Sequence, residues 1–247
     1  MKTLILFFAA LLMPAYLSAQ DNTDSFTIRI KGMRCEECAH KVKNRLLKED
    51  GVERLSFDLE KRTTTICYDH TKISPDSIKS ILKGTRYKAS AYHENDTILR
   101  GMGLQMSDMH CQNCANRIMK RFEGMEGIDS MAAHVDRHYV FFRYDANRTC
   151  KAHIREVLGE MGFTPVNYYT SKDISFAYFL IPEDTDVDEA IDLALSLEAV
   201  DDANANKRRH SLAITYANKY TTEEKLLEGL RSAGIKATLP APHQCKE

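Results

Sequence analysis

One segment of this chain occurs twice, at a constant offset of 76 positions. Cys35 and Cys38 recur as Cys111 and Cys114, and the register needs no gap. The further matches are Gly51-Val52 with Gly127-Ile128, Tyr68-Asp69 with Tyr144-Asp145, Ile78 with Ile154, Leu82 with Leu158, and Tyr87 with Phe163. Self-similarity at a fixed offset identifies one structural unit that is written twice. The sequence therefore predicts an array of small domains.

Hydrophobic periods within the repeat predict its secondary structure. Residues 25–30 alternate with period two, which indicates a strand, and apolar positions then recur at helical spacing from Cys38 to Leu47. Two more alternating segments precede a second helix, which has Pro75 in its first turn. A short strand at 87–89 ends the unit. The order βαββαβ predicts an α+β fold of the ferredoxin-like kind.

Residues 174–240 predict a third and diverged copy. Residues 175–181 read as an apolar strand, and Asp186-Val187-Asp188-Glu189 stands where the other copies have C-x-x-C. We therefore expect tandem ferredoxin-like domains, two clear and a third degenerate. The predicted boundaries are 1–19 for a signal peptide, 24–93 and 97–169 for the two cysteine-bearing domains, 173–240 for the degenerate domain and 241–247 for a tail.

Each of the first two copies has a cysteine pair at the start of a predicted helix. Thiols bind metal as thiolates, and the free N–H groups and dipole of a helix start stabilise that anion. Soft sulfur ligands favour Cu(I), with Hg(II) and Zn(II) as competitors, and structural zinc takes four ligands where each copy offers two. We predict metal ligands at four positions, with Cu(I) as the first choice of metal: Cys35, Cys38, Cys111 and Cys114.

Both pairs lie within the motif M-x-C-x-x-C, at Gly32–Cys38 and Asp108–Cys114. With the predicted βαββαβ order, this motif resembles the heavy-metal-associated (HMA) domain family. That family includes copper chaperones, amino-terminal domains of copper-transporting P-type ATPases and the periplasmic mercury-binding protein. The family motif begins with Gly, and the second copy departs from it at Asp108. Gly162-Phe163 matches the family's Gly-aromatic pair before the last strand, whereas Thr85-Arg86-Tyr87 keeps only the aromatic residue.

The resemblance implies a non-enzymatic protein that binds a soft metal, as a Cu(I) chaperone or scavenger, and exchanges thiolate ligands with a partner. The implied partner is a metal-transporting membrane protein or another metal-binding protein. The resemblance also implies that Met33 and Met109 pack inward. Zinc-selective members carry an acid just before the first cysteine, where this chain has Arg34 and His110.

The charges beside the two cysteine pairs differ. Glu36 and Glu37 place negative charge next to the first pair, which opposes thiolate formation, and Arg34, His40 and Lys41 offset that charge only in part. The second pair is followed by the neutral residues Gln112 and Asn113, with Arg117 one turn further on. We therefore expect lower thiol pKa values in the second pair, and tighter Cu(I) binding there at mildly acidic pH.

The other three of the seven cysteines have structural interpretations. Cys67 is expected as a buried or half-buried thiol in a strand, and Cys150 as a capping residue at a helix start. Cys245 lies in a polar tail and has no assigned role. An odd count with four cysteines in C-x-x-C pairs argues against a disulfide scaffold.

Two polar features near the predicted helix starts also invite a metal assignment. His110 precedes Cys111, but we expect its side chain to face water. The acidic segment 183–192 resembles a calcium loop, yet Glu189 and Leu195 occupy the places of the Gly and bidentate Glu that an EF-hand requires. A solvated helix start is the better interpretation of this segment.

Residues 1–19 predict a secretory signal and hence a secreted or periplasmic protein. Lys2 supplies the positive start, residues 4–12 are apolar, and Ser18-Ala19 offers small residues for cleavage. No later segment is apolar for long enough to span a bilayer, which argues against stable membrane insertion after cleavage. The net charge of −1, without a basic stripe, argues against a nucleic-acid partner.

Alternative functions remain open from the residues alone. A C-x-x-C pair at a helix start also suits a thiol–disulfide oxidoreductase, although a thioredoxin unit needs a longer βαβ pattern and a Pro facing the pair, which residues 85–88 and 161–164 lack. A protein that sequesters mercury or zinc without handing it on would use the same ligands. A passive interaction protein, with the third unit as its docking surface, is a further alternative.

Overall fold

A computed structural model describes residues 22–241, and the chain divides between Tyr92 and His93 into two compact units. The helices are α1 Glu36–Leu46, α2 Pro75–Ile81, α3 Gln112–Phe122, α4 Lys151–Glu160, α5 Val187–Ser196 and α6 Glu223–Ser232. The strands are β1 Thr23–Lys31, β2 Val52–Asp58, β3 Thr63–Asp69, β4 Lys88–Ala91, β5 Leu99–Gln105, β6 Ile128–His134, β7 Tyr139–Asp145, β8 Val166–Asn167, β9 Ile174–Leu180, β10 Val200–Asn206 and β11 Ser211–Ala217.

The first unit is one antiparallel sheet in the order β2-β3-β1-β4, with helices α1 and α2 packed on one face. Ile28 and Ile30 alternate on β1 and point into this core, which is why the strand reads with period two. The other main core residues are Val42, Leu46, Ile66, Ile78 and Leu82. The predicted ferredoxin-like α+β arrangement is confirmed.

The second unit begins with a sheet of the same order, β6-β7-β5-β8, so the repeat seen in the sequence is a repeat of structure. Val140, Phe142 and Tyr144 alternate on β7 and are completely buried, and the Phe142 ring packs edge-on against Phe122 of α3. A short 3-10 helix, Val135–Arg137, joins β6 to β7.

A third sheet in the second unit has three strands, in the order β10-β11-β9, and an isolated bridge between Leu180 and Thr238. Helices α5 and α6 cover one face. Strand β11 is buried on both faces from Ser211 to Tyr216, because the face turned away from these helices contacts the preceding sheet domain. The sequence did not predict β10, since its polar residues hide the alternation.

Several smaller expectations can be compared with the described residues. Cys67 is half-buried on β3, and Cys150 caps α4 by accepting the N–H of His153. Asp186 caps α5, which confirms the interpretation of the acidic segment as a helix start. None of the helices between residues 22 and 241 is both long and apolar enough to cross a bilayer. The predicted signal sequence and Cys245 lie outside the described residues.

Candidate metal sites

Both cysteine pairs lie where the first helix of a sheet domain begins. Cys35 is the N-cap of α1 with φ −150° and ψ 165°, and Cys111 is the N-cap of α3 with φ −149° and ψ 164°. Cys38 and Cys114 follow in the first turn of each helix. The structure therefore brings the four cysteines into two equivalent pairs, which we call site one (Cys35, Cys38) and site two (Cys111, Cys114).

The thiols of each pair converge. The Sγ atoms are 2.6 Å apart in site one and 3.3 Å apart in site two, and all four thiols are free. Cys35 and Cys111 are exposed, whereas Cys38 is buried and Cys114 is half-buried. Within residues 22–241, no further His, Cys, Asp or Glu completes a cluster of three with either pair. Each site thus offers two sulfur ligands and an open side.

The methionine of each motif packs beneath its loop. Met33 and Met109 have no exposed surface, which confirms the inward orientation. The hydroxyl of Thr64 lies 3.9 Å from the Met33 sulfur, and the ring Nδ1 of His138 donates to the Met109 carbonyl over 2.9 Å. His110 is exposed, as expected. The two thioethers therefore belong to the core.

The turns that precede the two sites have different residues, Gly32 and Asp108, at the same position of the repeat. Gly32 has φ +98°, and a Cβ placed there would lie 2.8 Å from the Arg86 carbonyl oxygen. Asp108 occupies the matching position without a positive φ. Its carboxylate accepts the Thr164 hydroxyl over 3.0 Å. Site one therefore depends on a close backbone approach, and site two on a buried hydrogen bond.

Thiol acidity is perturbed more strongly in site one. The Cys35 thiol, backbone N–H groups and the Arg86 guanidinium together lower the pKa of Cys38 to about 7. In site two the backbone N–H and thiol of Cys114 lower the pKa of Cys111, with a smaller contribution from Arg117. The expectation that site two has the lower thiol pKa values is wrong on this comparison.

The hydrogen bond with the Cys35 thiol is the largest cause of the lowered Cys38 pKa, and two charged contacts lie beside the pair. Glu37 forms an ion pair with Lys41, 2.5 Å from Nζ to Oε1, so its charge next to the thiols is compensated. Arg86 was not assigned from the sequence, yet its Nη2 lies 3.6 Å from Cys38 Sγ and donates to the Tyr87 hydroxyl over 2.8 Å. Arg86 stands where the second copy has Gly162. That replacement of Gly by a cation was the signal available in the sequence.

Replacing Arg86 by glutamine is expected to make Cys38 a weaker acid. A thiol with a lowered pKa reacts as thiolate above that pKa, so alkylation of Cys38 should rise through a midpoint of about pH 7 in the native protein. Removal of the guanidinium should move this midpoint upward. The measurement is the iodoacetamide rate at the Cys38 peptide between pH 5 and 10, followed by mass spectrometry.

The matched control is Arg45→Gln. Arg45 lies on α1, the helix that carries Cys38, and donates to the Ile81 carbonyl over 3.1 Å. Its replacement therefore removes an equal positive charge from another part of the unit. The midpoint should stay near pH 7 in that variant. An equal upward shift in both variants would assign the effect to net charge and contradict a specific contact of Arg86 with the thiol.

Comparison with known proteins points to one family. The family model described as "Heavy-metal-associated domain" (HMA) matches residues 27–88 and 104–164, which include both cysteine pairs. The copper chaperone CopZ of Staphylococcus haemolyticus is 30% identical over 60 residues, 24% of this chain and 88% of that protein. The mercuric transport protein periplasmic component of Shigella flexneri is 31% identical over 68 residues, 28% of this chain and 75% of that protein.

Larger relatives match through part of their length. The copper-exporting P-type ATPase of Bacillus subtilis is 22% identical over 136 residues, 55% of this chain and 16% of the ATPase. The chain therefore spans about a sixth of that relative. The similarity concerns the small cysteine-bearing domains, and it leaves most of the ATPase without a counterpart here.

Proposed function

Because the chain belongs to the heavy-metal-associated domain family, we propose that it binds Cu(I) at sites one and two and hands the ion to a partner by exchange of thiolate ligands. The proposed ligands are Cys35 and Cys38 in site one and Cys111 and Cys114 in site two. With the signal predicted at residues 1–19, the protein would act outside the cytoplasm, as a secreted or periplasmic chaperone or scavenger.

One observation carries this proposal: each site has two convergent thiols at a helix start, and no His, Cys, Asp or Glu among the described residues joins them to make a group of three. Sulfur ligands select soft ions, and a two-sulfur site suits Cu(I) better than Zn(II), which takes four ligands in structural sites. The lowered pKa of Cys38, about 7, keeps a substantial thiolate fraction at neutral pH. Proton competition with the metal is therefore weak at that site.

The exposure of the cysteines favours transfer by ligand exchange. A partner thiolate would approach on the side of the exposed Cys35 or Cys111 and bind the ion to give three sulfur ligands. One cysteine of this chain would then leave as thiolate, and the second would follow when another partner thiolate binds. The ion keeps its charge and is never released to water. The partner would be another two-cysteine domain, either soluble or part of a membrane transporter.

A direct handover assay tests the chaperone function. The Cu(I)-loaded chain is mixed anaerobically with the metal-free copper chaperone CopZ of Staphylococcus haemolyticus as the acceptor, and copper in each protein is measured after rapid separation. Because exchange proceeds through a shared complex, we expect a transfer rate that rises in proportion to acceptor concentration at low concentration. An acceptor whose two cysteines are replaced by serine should receive no copper.

A sequestering protein would give a different result. The 31% identity with a mercuric transport protein favours Hg(II) as the alternative cargo. Retention of Cu(I) in the presence of excess acceptor, or a rate independent of acceptor concentration, would contradict ligand exchange. Binding of Hg(II) with Cu(I) excluded in competition would replace the proposed cargo and leave the ligand set unchanged.

A further inference from the structure

The third sheet domain holds the backbone of one loop of the preceding domain. This loop, residues 161–165, connects α4 to β8 and contains the Gly162-Phe163 pair. Asn206 Nδ2 donates to the Phe163 carbonyl over 2.7 Å, and Arg209 Nε donates to the Gly162 carbonyl over 2.9 Å. Asn204 Nδ2 donates to the Pro165 carbonyl over 2.9 Å. Side chains of β10 and of the residues after it therefore bind three carbonyl groups of this loop.

The contact continues along β8. Asp202 accepts the Asn167 N–H over 2.7 Å and forms an ion pair with Arg155 of α4. On the neighbouring strand, the Thr215 hydroxyl donates to the Asn167 carbonyl over 2.9 Å. Buried polar groups are stabilising only when they are paired, and here side chains are matched to a specific backbone segment. The face of the third sheet that α5 and α6 leave uncovered is therefore complementary to the second domain.

A buried chain of polar side chains leads from this contact to the metal loop of site two. The Thr164 hydroxyl donates to Asp108 over 3.0 Å, and it lies 2.7 Å from the Ser211 hydroxyl on β11. The single hydroxyl hydrogen of Thr164 is used in the bond to Asp108, so in the second bond Thr164 accepts and Ser211 donates. All three residues are buried. Asp108 lies three residues before Cys111, within the turn that is closed by the hydrogen bond from the Met109 N–H to the Met106 carbonyl.

The same loop also contacts the helix of site two. Arg117 on α3 donates to the Met161 carbonyl over 3.4 Å, and its guanidinium lies 5.9 Å from the centre of the Phe163 ring. Arg117 stands three residues after Cys114 on the same helix, about one turn further along. The position of the loop therefore bears on site two from two sides, through Asp108 and through Arg117.

Site one has a different arrangement at the matching positions. Gly32 stands in place of Asp108, and Lys88 in place of Thr164. The loop before β4 closes on itself, with the Thr85 hydroxyl within 2.7 Å of the Leu82 carbonyl and 3.1 Å of the Tyr87 carbonyl. The departure of the second copy from the family motif at Asp108 coincides with the polar chain to Ser211.

We propose that the third domain supplies positioning residues for site two: Ser211, acting through Thr164 and Asp108, holds the metal loop in its binding conformation. This inference rests on the proposed metal-binding function. A loop that is already ordered loses less conformational entropy when the metal binds. By linkage, metal binding at site two must then strengthen the contact with the third domain by the same factor.

Loss of the Ser211 or the Thr164 hydroxyl should weaken metal binding at site two. Among residues 22–241 no donor reaches the second carboxylate oxygen of Asp108, so Thr164 is its side-chain partner. Without the hydrogen bonds from Ser211 through Thr164, the buried Asp108 carboxyl would move toward water, and the turn before Cys111 would move with it. Leaving a buried polar group unpaired corresponds to about a tenfold change in an equilibrium constant.

The test measures Cu(I) dissociation constants by competition with a chromogenic chelator in full-length protein. Site two is isolated by Cys35→Ser with Cys38→Ser, and site one by Cys111→Ser with Cys114→Ser. In the site-two background, Ser211→Ala and Thr164→Val should each raise the dissociation constant about tenfold. Thr164→Ser keeps the hydroxyl and should restore native affinity. In the site-one background, none of these changes should alter affinity.

Thr215→Val is the matched control. It removes a buried hydroxyl from the same face of β11, but that hydroxyl binds Asn167 of β8 and makes no contact with the metal loop. The site-two constant should change by less than about twofold in this variant, because the Asp108 chain is intact. An unchanged constant in Ser211→Ala, or equal weakening in Thr215→Val, would overturn the proposal.

A second measurement uses the native chain and does not depend on any variant folding. Hydrogen exchange is followed with and without Cu(I), and the Asn167 amide, which donates to Asp202, should exchange more slowly when site two is loaded. Unchanged exchange at β8 and β11 in a protein that binds two ions would contradict the coupling between site two and the third domain, and would leave the proposed metal binding intact. Failure of the native chain to bind Cu(I) at all would instead refute the proposed function.

Discussion

A chain in which Cys35 and Cys38 are both serine is expected to bind one Cu(I) ion, where the native chain binds two. Each proposed site has two thiols and no third His, Cys, Asp or Glu among the described residues, so replacing both sulfurs removes the proposed ligands. A serine hydroxyl is a hard and weakly acidic donor that does not replace a thiolate on a soft ion. Replacing Cys111 and Cys114 should likewise leave one ion, and replacing all four cysteines should leave none.

Native mass spectrometry of reduced, anaerobically purified protein counts the ions directly. Cys67→Ser and Cys150→Ser are the matched controls, because they remove a thiol from β3 and from the cap of α4 without touching either pair. Both controls should keep two ions per chain. Uptake of two ions by the variant without the four paired cysteines would contradict the assignment of the ligands.

The repeat and the fold of each cysteine-bearing domain could be predicted because their signals are local. Ile28 and Ile30 alternate because one face of β1 packs on helices and the other does not. The helix starts could be placed for a similar reason: Cys35 and Cys111 sit at the boundary between an alternating segment and a helical period, and both are N-caps. A fixed offset between the copies then allowed one assignment to support the other.

The remaining features depend on contacts between distant residues. Asp108 bonds to Thr164, and Thr164 to Ser211, across 56 and 47 positions of the chain. No short window of sequence contains both partners of such a contact. Strand β10 was missed for a related reason, since Asp202, Asn204 and Asn206 bind the backbone of the preceding domain, and their polar side chains give no apolar alternation.

The electrostatic expectation failed in part through the same limitation, although the largest cause of the lowered Cys38 pKa, the hydrogen bond with the Cys35 thiol, is local. Charges next to the cysteines in sequence were counted, but Arg86 comes from the loop before β4, 48 positions away from Cys38. Lys41 was counted as a partial offset to Glu37, and in the fold it forms a direct ion pair with that carboxylate. In a domain this small the thiols are surrounded by residues from both ends of the unit. The charges that surround a thiol can therefore be counted only once the fold is known, and only then do they predict which thiol has the lower pKa.

Replacing Gly32 by aspartate is expected to destabilise the first unit, although aspartate occupies the matching position of the second. Gly32 has φ +98°, and an added Cβ would lie 2.8 Å from the Arg86 carbonyl oxygen. The new carboxylate would also lack the hydroxyl that Thr164 gives to Asp108, because Lys88 stands there. Backbone strain together with a displaced loop should lower the free energy of unfolding by about 3 kcal/mol.

Gly84→Asp separates the two causes of this loss. Gly84 also has a positive φ, +77°, but no atom lies within 4 Å of a Cβ placed there, so only the cost of the left-handed conformation applies, about 1 kcal/mol. Hydrogen exchange of β1 and β3 amides as a function of urea reports the first unit by itself. Equal losses of unfolding free energy in the two variants would show that the close approach of the Arg86 carbonyl to Gly32 does not contribute to the loss. A neutral Gly32→Asp would mean that the loop of site two can be transferred to site one without its supporting hydrogen bonds.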